Sequence, residues 1–159
     1  MATPTRSSRR SVRPRPARPP ERVRRGRPAA GPPPPRPVAD PRLLEGVALF
    51  NHHRFFECHE VLEQLWRDTT GRPRDFYKGL IQAAVACYHW SRGNLAGAHS
   101  LFRSSSRYLA RYAPSCLGVD VAGFLAQYRE LFGWLRRHPQ RYDERLIPVL
   151  RWLTPPARS

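Results

Sequence analysis

The chain has 159 residues, with 28 basic against 12 acidic side chains and a formal net charge of +16. That length holds one domain. No apolar run reaches the roughly 20 residues that cross a bilayer: the longest, Gly79 to Trp90, is interrupted by Gln82 and His89, so no membrane role is expected. Cys58, Cys87 and Cys116 are odd in number, far apart, and fit no zinc or redox spacing. They read as reduced thiols of a cytoplasmic protein. The N-terminus lacks the apolar stretch of a secretory signal; its Arg- and Ser-rich start leaves an organellar transit peptide as the alternative, one that the run Pro32 to Pro35 fits poorly.

The charge is unevenly placed. Residues 1–40 carry eleven Arg against Glu21 and Asp40, a net +9, so the remainder carries +7. Residues 1–39 are Pro/Arg low complexity with almost no apolar content; they are expected to be disordered, since they bury too little to offset the entropy of ordering. The bundle domain is expected over 40–154. Lys78 is the single lysine, so 27 of the 28 basic residues are Arg, a bias that GC-rich codons would produce by themselves. A phosphate-binding surface would in addition need arginines clustered on one folded face.

In chain order, Asp40 and Pro41 form a helix start, a capping carboxylate before proline at the first helical position. Leu43, Leu44, Val47 and Phe50 follow at helical spacing to about Asn51. The spacing predicts a second helix over Arg54 to Asp68, stopped at Gly71 and Pro73, and a third from Arg74 to Arg92. The third is apolar almost all round, apart from a stripe of Lys78, Gln82 and His89. Gly93 and Asn94 then supply a C-terminal glycine and an N-cap for an antiparallel return. Helix four carries Ala98, Leu101, Phe102, Ser105, Tyr108, Leu109 and Tyr112 and ends before Pro114. Asp120 caps a fifth with Phe124, Leu125, Tyr128, Leu131, Phe132 and Leu135, running to Pro139, and a short sixth is expected from Asp143 to Leu153 around Pro148. Strand signals are absent. The fold class is all-α, a compact bundle of five to six antiparallel helices with a disordered N-terminal arm.

The candidate site lies on helices two and three. Wound at 100° per residue, helix two puts Phe55, Cys58, Leu62 and Trp66 on one side, with His59 beside Trp66 and Glu63 between Trp66 and Phe56. An ionisable pair hemmed by aromatics must be paired, neutralised or used. If the stripe on helix three faces it, His59, Glu63, Gln82 and His89 line one pocket for a small polar ligand, with Arg67 as the charge partner of Glu63. The bland alternative is a buried network of His59, Glu63 and Arg67, in which losing one partner costs about 3 kcal/mol or more. The zincin spacing is spoiled, because Glu63 stands where the second ligand histidine belongs. The expected cofactor is none, with a divalent metal held by His59, Glu63 and His89 as the alternative, completed by His53 or Gln82. No nucleophile elbow, phosphate loop or cofactor fingerprint is present, and Cys58 sits among apolar neighbours, as a core residue does.

The stretches FNHHRFFECHEVLEQLWR, GLIQAAVACYH and RGNLAGA resemble the helical family catalogued as domain of unknown function 309. The residues that carry the likeness are Phe50, Asn51, Phe55, Glu57, His59, Glu60, Glu63, Trp66 and Arg67, then Gly79, Gln82, His89, Gly93, Asn94, Gly97 and Ala98. It covers about 47–125. The resemblance implies an all-helical bundle of prokaryotic type, also found in some plastid-bearing organisms, with no agreed activity. His53 departs from it, standing where the family commonly has glycine. That departure puts a glycine-assisted turn in question and adds an imidazole near the site.

Two further classes of function follow from the residues. Tyr88, Gly93, Asn94, Ala98 and Phe102, with Pro114 beyond, echo a tetratricopeptide hairpin and so a protein-interaction module acting on a protein partner or a second copy. One unit is too few for a solenoid. The Arg-rich tail points to salt-sensitive contact with nucleic acid.

Overall fold

The computed structural model describes residues 39–153; the expected N-terminal arm lies outside them. Among the described residues five α-helices form: α1 Pro41–Asn51, α2 Phe55–Asp68, α3 Pro73–Ser91, α4 Leu95–Ala110 and α5 Val121–Arg137. Their starts are local chemistry. The Asp40 carboxylate accepts from the Arg42 N–H at 2.9 Å, Asn94 from Gly97 at 3.0 Å and Asp120 from Gly123 at 2.8 Å, each satisfying a donor that the first turn leaves open.

Two helix ends share one device. After α3, Gly93 takes φ +76°; its N–H donates to the Trp90 carbonyl at 2.9 Å, and Asn94 N–H reaches back to His89 at 2.8 Å. This paired closure uses the left-handed region that glycine enters without steric cost. After α1 the same pair of bonds recurs, His53 to Phe50 and Arg54 to Leu49, both 2.9 Å. His53 now occupies the left-handed position at φ +59°. The turn therefore forms without glycine, and the His53 ring stacks on Phe55 at 5.7 Å and 18°.

α1 to α4 run as an antiparallel meander whose neighbours approach closely. A Cβ on Gly46 of α1 would stand 2.5 Å from Leu62 of α2, and one on Gly79 of α3 would stand 2.8 Å from Leu109 of α4. α5 packs its aromatic row against this layer: Phe124 on Phe50 at 5.6 Å, Tyr128 on Phe102 at 4.9 Å, Phe132 stacked on Phe102 at 4.2 Å, and Trp134 against Trp90 at 6.3 Å. Within that core Ser105 and Tyr128 share a fully buried hydroxyl contact of 3.0 Å.

Two expectations are corrected. The sixth helix over Asp143 to Leu153 is absent: a single 3₁₀ turn at Glu144–Leu146 gives way to extended chain. Pro148 has no N–H to continue a helix, and the extended segment finds partners far off, in Asn51 and in Gln127, whose Oε1 accepts from Val149 N–H at 3.1 Å. Strands are also present, as a two-residue hairpin of β1 Ser115–Cys116 and β2 Val119–Asp120. Leu117 and Gly118 turn it at φ +49° and +85°, the conformation that two-residue hairpins require. The extended segment joins its edge through a bridge between Val119 and Trp152.

Candidate functional site

On α2 the apolar residues Phe55, Cys58, Leu62 and Leu65 are buried. His59 and Glu63 sit one turn apart on the adjoining shoulder, His59 Nε2 lying 3.5 Å from Glu63 Oε2. Glu63 Oε1 accepts from Arg67 Nη2 at 3.0 Å. The order is thus imidazole, carboxylate, guanidinium along one helix. The expectation of burial is corrected: the His59 and Glu63 side chains are 30% and 33% exposed, because they fall at the edge of the packed face. Phe56 stands beside them, 53% exposed, with its ring 6.0 Å from His59 and 6.1 Å from Tyr88 of α3. At the other end of the seam Arg74 lies over the Trp66 ring at 4.0 Å.

On α3, Phe76, Leu80, Ala83 and Cys87 are buried, and Lys78, Gln82 and His89 project from the opposite side of the helix by its 100° step. Their contacts lead to α4 more than to α2. Lys78 Nζ lies 5.1 Å over the Tyr108 ring. The Asn94 amide donates to His89 Nδ1 at 3.1 Å, its oxygen being engaged by the Gly97 N–H. A neutral His89 therefore carries its proton on Nε2. Glycine at 97 makes room: a Cβ there would meet the His89 ring at 3.1 Å. His59, Glu63 and Arg67 thus form one polar group and His89 pairs with Asn94 in another, the two being joined through the rings of Phe56 and Tyr88. The role of Asn94 beyond capping was legible only in its position five residues after His89, across the left-handed glycine.

On the same two helices two polar atoms are buried without a hydrogen-bond partner, Gln82 Oε1 of α3 and Trp66 Nε1 of α2. One is an acceptor and the other a donor. Leaving such an atom unpaired costs about 1–3 kcal/mol.

Among the described residues no three His, Cys, Asp or Glu side chains gather as a metal would require; His59 and Glu63 have each other, and His89 has Asn94. His53 is turned to Phe55. Cys58 and Cys87 are free and fully buried. Burial pushes the Cys58 thiol up to about 12 and Cys87 higher still, so neither supplies a thiolate at neutral pH.

Comparison with known proteins places this geometry in context. Residues 43–101 match the family model described as domain of unknown function DUF309, which takes in most of α1, all of α2 and α3, and the start of α4. The chain is 46% identical over 98 residues to the uncharacterized protein YpuF of Bacillus subtilis (strain 168), covering 60% of this chain and 56% of that protein. It is 25% identical over 92 residues to an uncharacterized protein of Aquifex aeolicus (strain VF5), covering 57% of this chain and 28% of that one. The chain therefore spans about half, or less, of the curated relatives it matches. No solved structure matches it. No helix among the described residues is long and apolar enough to cross a membrane.

Proposed function

We propose, with the DUF309 match as premise, that the outer face of α3 and the adjoining shoulder of α2 bind a small polar ligand. The observation that carries this reading is Gln82 Oε1, a buried acceptor with no donor, on the same side of α3 as Lys78 and His89. A ligand N–H or O–H would relieve its cost, and a ligand acceptor would serve Trp66 Nε1. His89 adds a donor at Nε2, and Glu63, held between His59 and Arg67, fixes the charge at the rim. Nothing in this set is an activated nucleophile, so the reading is of recognition and not of reaction.

The test is a thermal-shift panel of amino acids, nucleosides, sugars and dicarboxylates, with zinc and manganese salts included. One chemical class raises the Tm of the wild-type protein and leaves Gln82→Leu and His59→Ala unmoved. A wild-type Tm that no compound shifts, with Gln82→Leu more stable than wild type, would make the lone oxygen a packing defect and sink the idea.

A second reading, a protein-interaction surface, is favoured by Phe56, a large apolar ring left 53% exposed against His59 and Tyr88. Phe56→Ala would then abolish a partner's binding while sparing the thermal-shift response.

A further inference from the structure

Where α4 and α5 meet, Phe102 and Phe132 stack, and the rim around them is basic. Arg103 from α4, Arg129 and Arg136 from α5, and His99 line one cleft of about 340 Å³. The three arginines are exposed, and among the described residues none of them pairs with a carboxylate. The His99 imidazole is held below its ordinary value, by burial first and then by the charges of Arg136 and Arg103. Cations gathered without a counter-charge repel one another, and that cost is removed when an anion binds between them.

The basic surface continues beyond this cleft. Arg103 and Arg107 of α4 and Arg111 at its C-cap recur every four residues, about 6 Å per step along the axis, and Ser104, Arg107, Tyr108 and Arg111 line a second cleft of about 250 Å³. Asp75 reaches only the far end of this row, 3.7 Å from Arg111. Between Asp75 and Asp120 the chain has no acidic residue, whereas Glu45, Glu57, Glu60, Glu63, Asp68 and Asp75 all fall in α1, α2 and the start of α3. Coding bias accounts for Arg in place of Lys; it does not account for the absence of acids from Phe76 to Val119, nor for three arginines without a carboxylate partner on two helices whose one acid, Glu130 of α5, makes no ion pair with them.

We propose that the α4–α5 face binds the phosphate backbone of a nucleic acid, with Arg103, Arg129 and Arg136 as the central contact and Arg107 extending it. A row longer than one cleft fits a polyanion better than a single phosphoryl group. A lipid surface fits poorly, because the exposed large apolar side chains are Phe56, Leu117, Tyr142, Val149 and Leu153. None of them lies on α4 or α5, where insertion would need them. Backbone contacts of this kind confer affinity and orientation without reading sequence.

The experiment measures anisotropy of a labelled mixed-sequence duplex of about 20 base pairs against salt, using the full chain, since residues 1–40 carry a net charge of +9 that a control must balance. Four forms are compared: wild type, R103Q/R129Q/R136Q, the corresponding Arg→Lys triple, and R22Q/R24Q/R25Q as an equal loss of charge in the N-terminal segment. The face variant is expected to bind more weakly, with a log K against log salt slope shallower by about 2 to 3, while the corresponding Arg→Lys triple keeps the slope. Circular dichroism checks folding; if the triple does not fold, R103Q and R136Q singly each lower the slope by about 0.9. An unchanged slope and affinity in the face variant overturns the proposal, as does binding to phosphatidylglycerol vesicles by a wild-type protein that ignores the duplex.

Discussion

Asn51 and Leu150 exchange two hydrogen bonds across 99 residues of chain: the amide Nδ2 donates to the Leu150 carbonyl and the Leu150 N–H donates to Oδ1, each at 2.9 Å. This pair ties the extended C-terminal segment to the end of α1. Asn51→Ala is expected to cost about 2 kcal/mol, two partly buried bonds at their net worth, and to speed hydrogen exchange at Leu150. Urea denaturation with exchange detected by NMR checks both; unchanged protection of Leu150 would mean that the segment is held elsewhere.

The matched turns at His53 and Gly93 predict opposite responses to opposite changes. His53 occupies a left-handed conformation that costs a side-chain-bearing residue about 1 kcal/mol, so His53→Gly should stabilise by up to that amount, less the lost stacking on Phe55. Gly93→Ala, at φ +76° with open space for a Cβ, should destabilise by about 1 kcal/mol through the backbone alone. Denaturation midpoints of the two variants measure the pair directly.

In the core, the Ser105–Tyr128 contact is asymmetric. Ser105 Oγ also lies 3.1 Å from the Phe102 carbonyl, so Tyr128→Phe leaves the serine a partner and should cost about 1 kcal/mol. Ser105→Ala strands a fully buried phenol and should cost about 2 kcal/mol. Equal losses would show that the phenol has found another acceptor.

His59→Ala and Glu63→Gln should each lower stability by less than about 1 kcal/mol, because polar contacts between side chains a third or more exposed contribute little. That is far below the loss expected of a buried network. A cost of about 3 kcal/mol in chemical denaturation would restore the structural reading of this group and remove it from the ligand site.

Acid should weaken the fold in two windows. The folded His99 titrates below its ordinary 6.5, so the unfolded chain takes up that proton first as pH falls. Its contribution is whole above about pH 6.5 and is lost as pH drops through the folded value. Asp40 is held below 3.8, chiefly by its hydrogen bond from Arg42; its contribution is present above that value and is lost at lower pH. The Tm of His99→Gln should therefore fall less than that of wild type as pH drops below 6.5. Polyanion bound at the α4–α5 cleft should raise the His99 titration midpoint, read from its ring protons by NMR.

What the sequence by itself determined is what bonds within a few residues decide. Asp40 before Pro41, Gly93 before Asn94, and Asp120 three residues before Gly123 set the helix limits, because capping and turn closure are satisfied inside one turn of chain. The 100° step likewise separated Phe76, Leu80 and Cys87 from Lys78, Gln82 and His89 on α3. Only the tertiary structure decided what stands opposite each face. A helical wheel carries no information on the neighbour's rotation, so it could not show that His89 turns to Asn94, that His59 and Glu63 lie at a solvent edge, or that Arg103 meets Arg129 and Arg136. The C-terminal segment is the clearest case: its apolar residues read as helix, yet Pro148 removed a donor, and partners at Asn51 and Gln127 offered the backbone a better place in extended form.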